Sequence, residues 1–297
     1  MTILVTGASG FLGSTIVSTL LESGHDVLAL TRQPNSGLLA LARRNRALVI
    51  RTGTLEDLAN LDVPAEAIVH AAAATPGPAL DLDGAIASNV HGTLAVRDYA
   101  RRMQPRAIVY LSSMSIYGRI EGATVEPSTP RVDPDYYGLT KYLGELALTQ
   151  LAQDSGVVAL RLPGVVADGG GRTRTGRHAI WLGRVLDQLL AGETVSITNG
   201  DRPFNNLLHV ADLAALVRDT LVGVQSGFFA VTPAATGMMT VWSVVDRMRV
   251  NIGSRAKIID RGRDGPSFCI SLEWSLPGVQ FAPMTVAETI DRFCAGV

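Results

Sequence analysis

With 297 residues, 47% hydrophobic and 18% charged, the chain is long enough for one large domain or two unequal ones and rich enough in apolar side chains for a sizeable core. A net charge of -1 and a pI of about 6.5 leave no basic surplus for a polyanion, so nucleic acid is set aside as a partner. The two cysteines, Cys269 and Cys294, are too few for a disulfide framework or a Cys-rich metal centre and read as small apolar fillers in a reducing compartment, with no metal expected.

The chain opens Met-Thr-Ile-Leu-Val-Thr-Gly, without the basic start, apolar stretch and cleavage site of a signal peptide. No apolar run approaches the ~20 residues that span a bilayer. The expectation is a cytoplasmic protein with no membrane partner.

In chain order, residues 3–5 form a short apolar strand that runs into a turn with glycines at 7, 10 and 13. Leu12, Ile16, Val17, Leu20 and Leu21 then share one face of a helix ending near Gly24. Residues 26–30, 47–50, 67–70, 107–111 and 157–160 read as the next five strands. Helical patterns separate most of them, clearest at 84–102 and 136–153. Near-continuous apolar strands alternating with amphipathic helices predict a parallel sheet covered on both faces, the doubly wound α/β (Rossmann) arrangement. After residue 163 the pattern loosens. Residues 169–171 and the basic stretch 172–174 read as a mobile loop, and helical periodicity resumes at 179–191, 211–222, 240–250 and 285–293. We expect a dinucleotide-binding domain over 1–165, to which 205–232 returns, and a smaller C-terminal substrate-binding domain over 166–297.

Glycines between a strand and a helix let the backbone turn tightly and approach a pyrophosphate at the helix N-terminus. The spacing here is Gly-x-x-Gly-x-x-Gly rather than Gly-x-Gly-x-x-Gly, and a plain glycine turn is the bland alternative. The second strand ends Leu30-Thr31-Arg32, with no carboxylate for a ribose 2′-hydroxyl and a guanidinium suited to a 2′-phosphate. NADP is therefore preferred over NAD; a solvated loop arginine would leave NAD in place. The fifth strand runs into Leu111-Ser112-Ser113, where a hydroxyl could hold a substrate oxygen or merely bond local backbone. Tyr137 and Lys141 lie one helical turn apart, and an ammonium beside a phenol favours the phenolate. The tyrosine pKa is thus expected below its reference near 10, as suits a general acid/base.

With these residues in view, the chain resembles the extended short-chain dehydrogenase/reductases, also called the NAD-dependent epimerase/dehydratase family. The resemblance is carried by Thr6-Gly-Ala-Ser-Gly-Phe-Leu-Gly13, Val69-His-Ala-Ala72, Asn89-Val-His-Gly-Thr93, Ser112-Ser113 with Tyr117-Gly118, and Tyr137-Gly-Leu-Thr-Lys141. Leu160-Arg-Leu-Pro163 and Leu208-His-Val-Ala-Asp212 continue it, in the family's order. It implies Ser113 as the catalytic hydroxyl, Tyr137 as acid/base, and Lys141 as the residue that binds the nicotinamide ribose and tunes the tyrosine. It implies cofactor contacts from Gly7, Ser9, Gly10, Phe11, Leu12 and Gly13, from Thr31 and Arg32, from Thr54 and Leu55, from Ala71, Ala72 and Asn89, and from Pro163. A homodimer packed through the helices at 84–102 and 136–153 is implied as well. His209 and Asp212 read as structural, at a helix start.

Three departures narrow the expectation. Dehydratases of the family carry an acidic pair where this chain has Met114 and Ser115, so sugar dehydration is not expected. Nucleotide-sugar enzymes carry an Arg-Asp pair where this chain has Asn205 and Asn206, which weakens a diphosphate contact unless Arg172, Arg174, Arg202 or Arg263 replaces it. Gly53-Thr54-Leu55 stands where the family has Gly-Asp-Leu, leaving an adenine contact to Thr54 or to backbone. The leading expectation is an NADP-preferring oxidoreductase on a small carbonyl or hydroxyl substrate, such as a sugar or sugar acid. A sugar epimerase is the alternative, and a non-catalytic dinucleotide-binding protein the third.

Overall fold

The computed structural model describes residues 1–76, 81–170 and 176–297. It begins with β1 (Thr2–Thr6), α1 (Phe11–Glu22), β2 (Asp26–Thr31), α2 (Ser36–Arg44) and β3 (Leu48–Thr52). A 3-10 turn, Glu56–Asn60, leads to β4 (Ala67–His70). The helix expected at 84–102 is three pieces in series: α3 (Leu82–Ala85), a π-helical segment (Ile86–His91) and α4 (Gly92–Met103). Then follow β5 (Ala107–Ser113), a 3-10 turn (Met114–Tyr117), β6 (Thr124–Val125), α5 (Tyr136–Thr149), β7 (Gly156–Leu162) and β8 (Gly164–Val166). The rest comprises α6 (Arg177–Leu190), β9 (Val195–Ile197), β10 (Pro203–Phe204), β11 (Leu207–His209), α7 (Val210–Gly223) and β12 (Gly227–Val231). It ends with β13 (Met239–Thr240), α8 (Val241–Asn251), β14 (Ile258–Asp260), β15 (Cys269–Ile270) and α9 (Val286–Cys294).

Seven strands form one sheet in the order β12-β7-β5-β4-β1-β2-β3, every pair parallel. Such a sheet needs cover on both faces, which is why β4 and β7 are buried at every residue while the edge strand β3 is mostly exposed. Alternate residues supply the two layers. Ile3, Val5 and Val109 pack with Ile16 and Leu20 of α1 and Leu213 and Val217 of α7. Leu4, Ile68 and Ile108 pack on the other face with Val96 and Tyr99 of α4 and Leu148 of α5. Each such fully buried aliphatic side chain stabilises the fold by about 1.5–3 kcal/mol.

The chain winds outward from β1 to β3, then crosses back so that β4 lies on the other flank of β1. This reversal opens a crevice at the carboxyl ends of β1 and β4, where a doubly wound sheet takes its ligand. A separate apolar cluster joins α6, α8 and α9, with Leu182, Leu186, Val245, Met248, Ile290 and Phe293 buried at its centre. In this portion α7 packs on α1, and β12 extends the main sheet beyond β7. Of the loop read at 169–174, residues 171–174 lie outside the described residues; the Gly170 amide bonds the Phe293 carbonyl. Among the described residues no helix is long and apolar enough to cross a membrane.

Candidate active site

The β1–α1 turn is built for a close backbone approach. Gly7 has φ +67°, and a Cβ there would stand 2.7 Å from the Ala72 amide nitrogen at the end of β4. Gly10 begins α1 in extended conformation with no side-chain cap and no acidic residue in the first turn, so the first amides of a 12-residue helix face the crevice without a protein anion. These residues fit a dinucleotide diphosphate. Ala72 is fastened in turn, its amide donating to Thr6 Oγ1 at 3.2 Å.

The carboxyl ends of the neighbouring strands bring the remaining expected cofactor residues to the same rim. Ser9 Oγ and Thr31 Oγ1 share a 2.6 Å hydrogen bond, and Asn35 Nδ2 donates to the Ser9 carbonyl at 2.8 Å. The glycine turn and the end of β2 are thereby tied together, with Arg32 exposed beside them. Thr54 lies just beyond β3, where the Asp57 carboxylate turns back to accept its amide at 2.7 Å. Leu55 is half-buried beside it, as are Phe11, Leu12 and Ala71 around the crevice, and Pro163 is buried between β7 and β8.

Asn89 sits in the π segment, a local widening of the helix that recurs where a helical side chain serves a site. Its Oδ1 accepts the Ala74 amide at 2.8 Å, and its Nδ2 donates to the Ala74 carbonyl at 3.0 Å and to Thr140 Oγ1 at 3.2 Å. The buried amide is fully satisfied and clamps the loop after β4 to α5.

Ser113 ends β5, its Oγ accepting the Ser115 amide at 3.1 Å. Asp135 caps α5 by accepting the Gly138 amide at 2.7 Å, which sets Tyr137 in the first turn. Ser113, Tyr137 and Lys141 are thus brought together, but their electrostatics correct the expectation. The Tyr137 phenol is pushed up to about 12, because burial disfavours the phenolate more than the hydrogen bond with Ser113 favours it, and the Asp135 charge adds to the rise. Lys141 is itself driven down to about 7 by burial, with Glu145 opposing. Its ammonium lies 4.2 Å from the centroid of the Tyr110 ring.

Sequence reasoning missed what lies beneath these residues. Glu145, one turn after Lys141, accepts Ser112 Oγ at 2.6 Å and the Arg161 guanidinium at 3.1 and 2.8 Å. Arg161 also donates to Tyr117 Oη at 3.1 Å and to the Pro127 carbonyl at 2.7 Å. The signal available for Glu145 was its i, i+4 spacing from Lys141. Asn205 and Asn206 are buried and committed to the segment around β15: Asn205 pairs both amide atoms with the Ile270 backbone at 2.8 Å, and Asn206 Nδ2 donates to the Phe268 carbonyl at 3.0 Å. Asn206 Oδ1 is buried with no hydrogen-bond partner among the described residues, and Asn206 is one of the residues around a cavity of about 160 Å³. His178, Trp181, Phe204 and Phe268 bring aromatic rings to that cavity. Arg263 pairs with Asp201 at 3.1 Å, while Arg172 and Arg174 lie outside the described residues. His209 caps α7 by accepting the Ala211 amide at 3.2 Å, and Asp212 accepts the Met284 amide at 3.1 Å.

Comparison with known proteins agrees with this construction. A putative UDP-glucose 4-epimerase of Methanocaldococcus jannaschii is 26% identical over 91% of this chain and 89% of its own. The D-erythronate dehydrogenase of Cupriavidus necator is 31% identical, over 55% of each chain. The crystal structure of UDP-glucuronic acid 4-epimerase from Bacillus cereus in complex with NAD superposes with a TM-score of 0.79 at 18% identity, covering 98% of this chain and 97% of that one. The family model for the NAD dependent epimerase/dehydratase family matches residues 3–222, and the chain belongs to that family of enzymes.

Proposed function

We propose that the protein is an NADP-preferring oxidoreductase that moves hydride between the cofactor and a small carbonyl or hydroxyl substrate of sugar or sugar-acid type. The observation that carries this reading is the convergence of Ser113, Tyr137 and Lys141 beside the crevice at the carboxyl ends of the sheet. A nicotinamide dinucleotide held on the glycine turn supplies the hydride chemistry. Ser113 orients the substrate oxygen, and Tyr137 Oη gives that oxygen its proton as the carbonyl carbon is reduced. Burial keeps the phenol protonated at rest but also weakens it as an acid. Lys141 supplies the positive charge that offsets the phenolate left behind. Arg32, exposed at the end of β2, is assigned the 2′-phosphate, and residues 166–204 and 233–297 are assigned the shaping of the substrate pocket.

The commitment of Asn205 and Asn206 to the β15 segment argues for a substrate without a diphosphate at that place. The similarity to a D-erythronate dehydrogenase supports a sugar acid. The test is turnover linked to NADP(H) across sugars, sugar acids and nucleotide sugars, with Tyr137→Phe as control. We expect that variant to lose roughly 10²-fold or more in turnover while still binding cofactor, and near-normal turnover would refute the mechanism.

The aromatic cavity favours a second reading. Rings from His178, Trp181, Phe204 and Phe268 suit a planar heterocycle, as in the base of a nucleotide sugar. The enzyme would then be an epimerase that carries tightly bound dinucleotide through purification and turns over without added cofactor. A clean apo preparation that needs added NADP(H) would count against it.

A further inference from the structure

Tyr137, Lys141 and Glu145 follow one another at i, i+4 and i+8 along the face of α5 that meets the sheet. Lys141 is 2% exposed and Glu145 1%. Glu145 does not reach water for its solvation. It is held by Ser112, the residue before Ser113, and by the fork of Arg161, and the parallel register sets Ser112 directly opposite Arg161 across β5 and β7. Arg161 is anchored further by Tyr117 Oη and the Pro127 carbonyl, and Tyr117 Oη lies 3.1 Å from Thr232 Oγ1. This frame fixes one carboxylate a single helical turn from the ammonium.

We propose that Glu145 is the positioning residue that keeps Lys141 cationic inside the closed site, acting as its fixed counter-charge through the Ser112–Glu145–Arg161 frame. The other titratable groups facing Lys141 do not serve. Tyr110 of β5 lies under the ammonium and offers only the face of its ring. His70 of β4, stacked on Tyr110 at 5.3 Å, is held neutral by burial. Tyr137 keeps its proton. The Asp135 carboxylate, at the start of α5, acts on Tyr137 and not on Lys141. Among the described residues only Glu145 opposes the burial that strips Lys141 of its charge. What that charge does for Tyr137 rests on the function proposed above; the electrostatic link does not.

The chain makes a direct test accessible, since its lysines are Lys141 and Lys257 alone. Protein grown on lysine labelled at the side-chain nitrogen gives two resonances, assigned with Lys257→Arg, and each is titrated by NMR. In Glu145→Gln the Lys141 midpoint should fall by roughly one pH unit or more. A purely structural role predicts the opposite sign, because a loosened helix admits water and returns the lysine toward its ordinary value. If removal of the carboxylate alone unfolds the chain, the double variant Glu145→Gln with Arg161→Gln replaces the ion pair by two amides, and its Lys141 midpoint should also fall. A midpoint that stays or rises in the folded variants overturns the proposal. If the midpoint falls while the alkaline limb of kcat/KM stays in place, the link stands and the role assigned to Lys141 in turnover fails.

Discussion

The Lys141 ammonium lies 4.2 Å from the centroid of the Tyr110 ring, and the same tyrosine is stacked on His70 with an interplanar angle of 22°. A cation over an aromatic face recovers part of the solvation lost on burial, about 0.5–2 kcal/mol. His70 continues the stack to the cofactor side, its ring nitrogens lying 2.8 Å from Thr6 Oγ1 and 3.0 Å from Thr93 Oγ1. One column of side chains therefore connects the lysine of α5 with the strand that ends in the glycine turn.

The column leaves no room over Tyr110, where α5 passes at Gly144. A Cβ at that position would stand 2.5 Å from Tyr110 Oη and 2.9 Å from its Cζ. Gly144→Ala should therefore cost about 1–3 kcal/mol despite the better helix propensity of alanine. In a Tyr110→Phe background the closest atom is gone, and the cost should shrink or change sign. Denaturant midpoints of the four proteins give the coupling; equal costs in both backgrounds would remove the contact as its cause.

The 2′-phosphate role proposed for Arg32 is open to a direct test. A charge-assisted bond to a 2′-phosphate contributes about 1.5–3 kcal/mol, roughly tenfold or more in affinity. NADPH should bind more tightly than NADH to the intact protein, and Arg32→Ala should erase the gap, as measured by fluorescence titration. Equal affinities before the substitution would return the preference to NAD.

Much of this arrangement is legible in the sequence, because burial on both sheet faces leaves continuous apolar runs. The expected strand at 67–70 is observed unchanged, and those at 107–111 and 157–160 extend to Ser113 and to Leu162. Helical periodicity places α5 well but hides the π segment around Asn89, since one widened turn barely disturbs an apolar stripe. The sign of the Tyr137 shift is not legible either. Spacing reveals that a lysine is near, but not that burial weakens the charge of the lysine as well as the acidity of the phenol. Arg161 looks like any polar residue in a strand until sheet register sets it beside Ser112. The tie between Asn205 and Ile270 joins residues 65 apart in the chain, which no local pattern reports.

The outer face of α5 carries its own prediction. Leu139, Leu143 and Leu146 are 47%, 47% and 44% exposed, a leucine stripe at helical spacing on the helix assigned to a homodimer. If this stripe carries the expected homodimer, Leu143→Asp should leave a monomer by light scattering, with monomer stability altered by no more than about 0.5 kcal/mol. An intact protein that is monomeric at all accessible concentrations would refute the dimer.

His70 should make the fold acid-sensitive. Burial, aided by the Lys141 charge, lowers its pKa to about 3 from an ordinary value of 6.5. Between those values the unfolded chain holds the proton and the folded chain does not, so acidification through this window favours the unfolded state. From pH 7 to pH 5 this one group removes about 2 kcal/mol. His70→Gln keeps a donor and an acceptor for Thr6 and Thr93 but does not titrate, so its loss over the same interval should be smaller by that amount. Urea midpoints of both proteins at the two pH values provide the measurement. Parallel losses would mean that protonation of His70 is not what opens the column between Lys141 and the glycine turn.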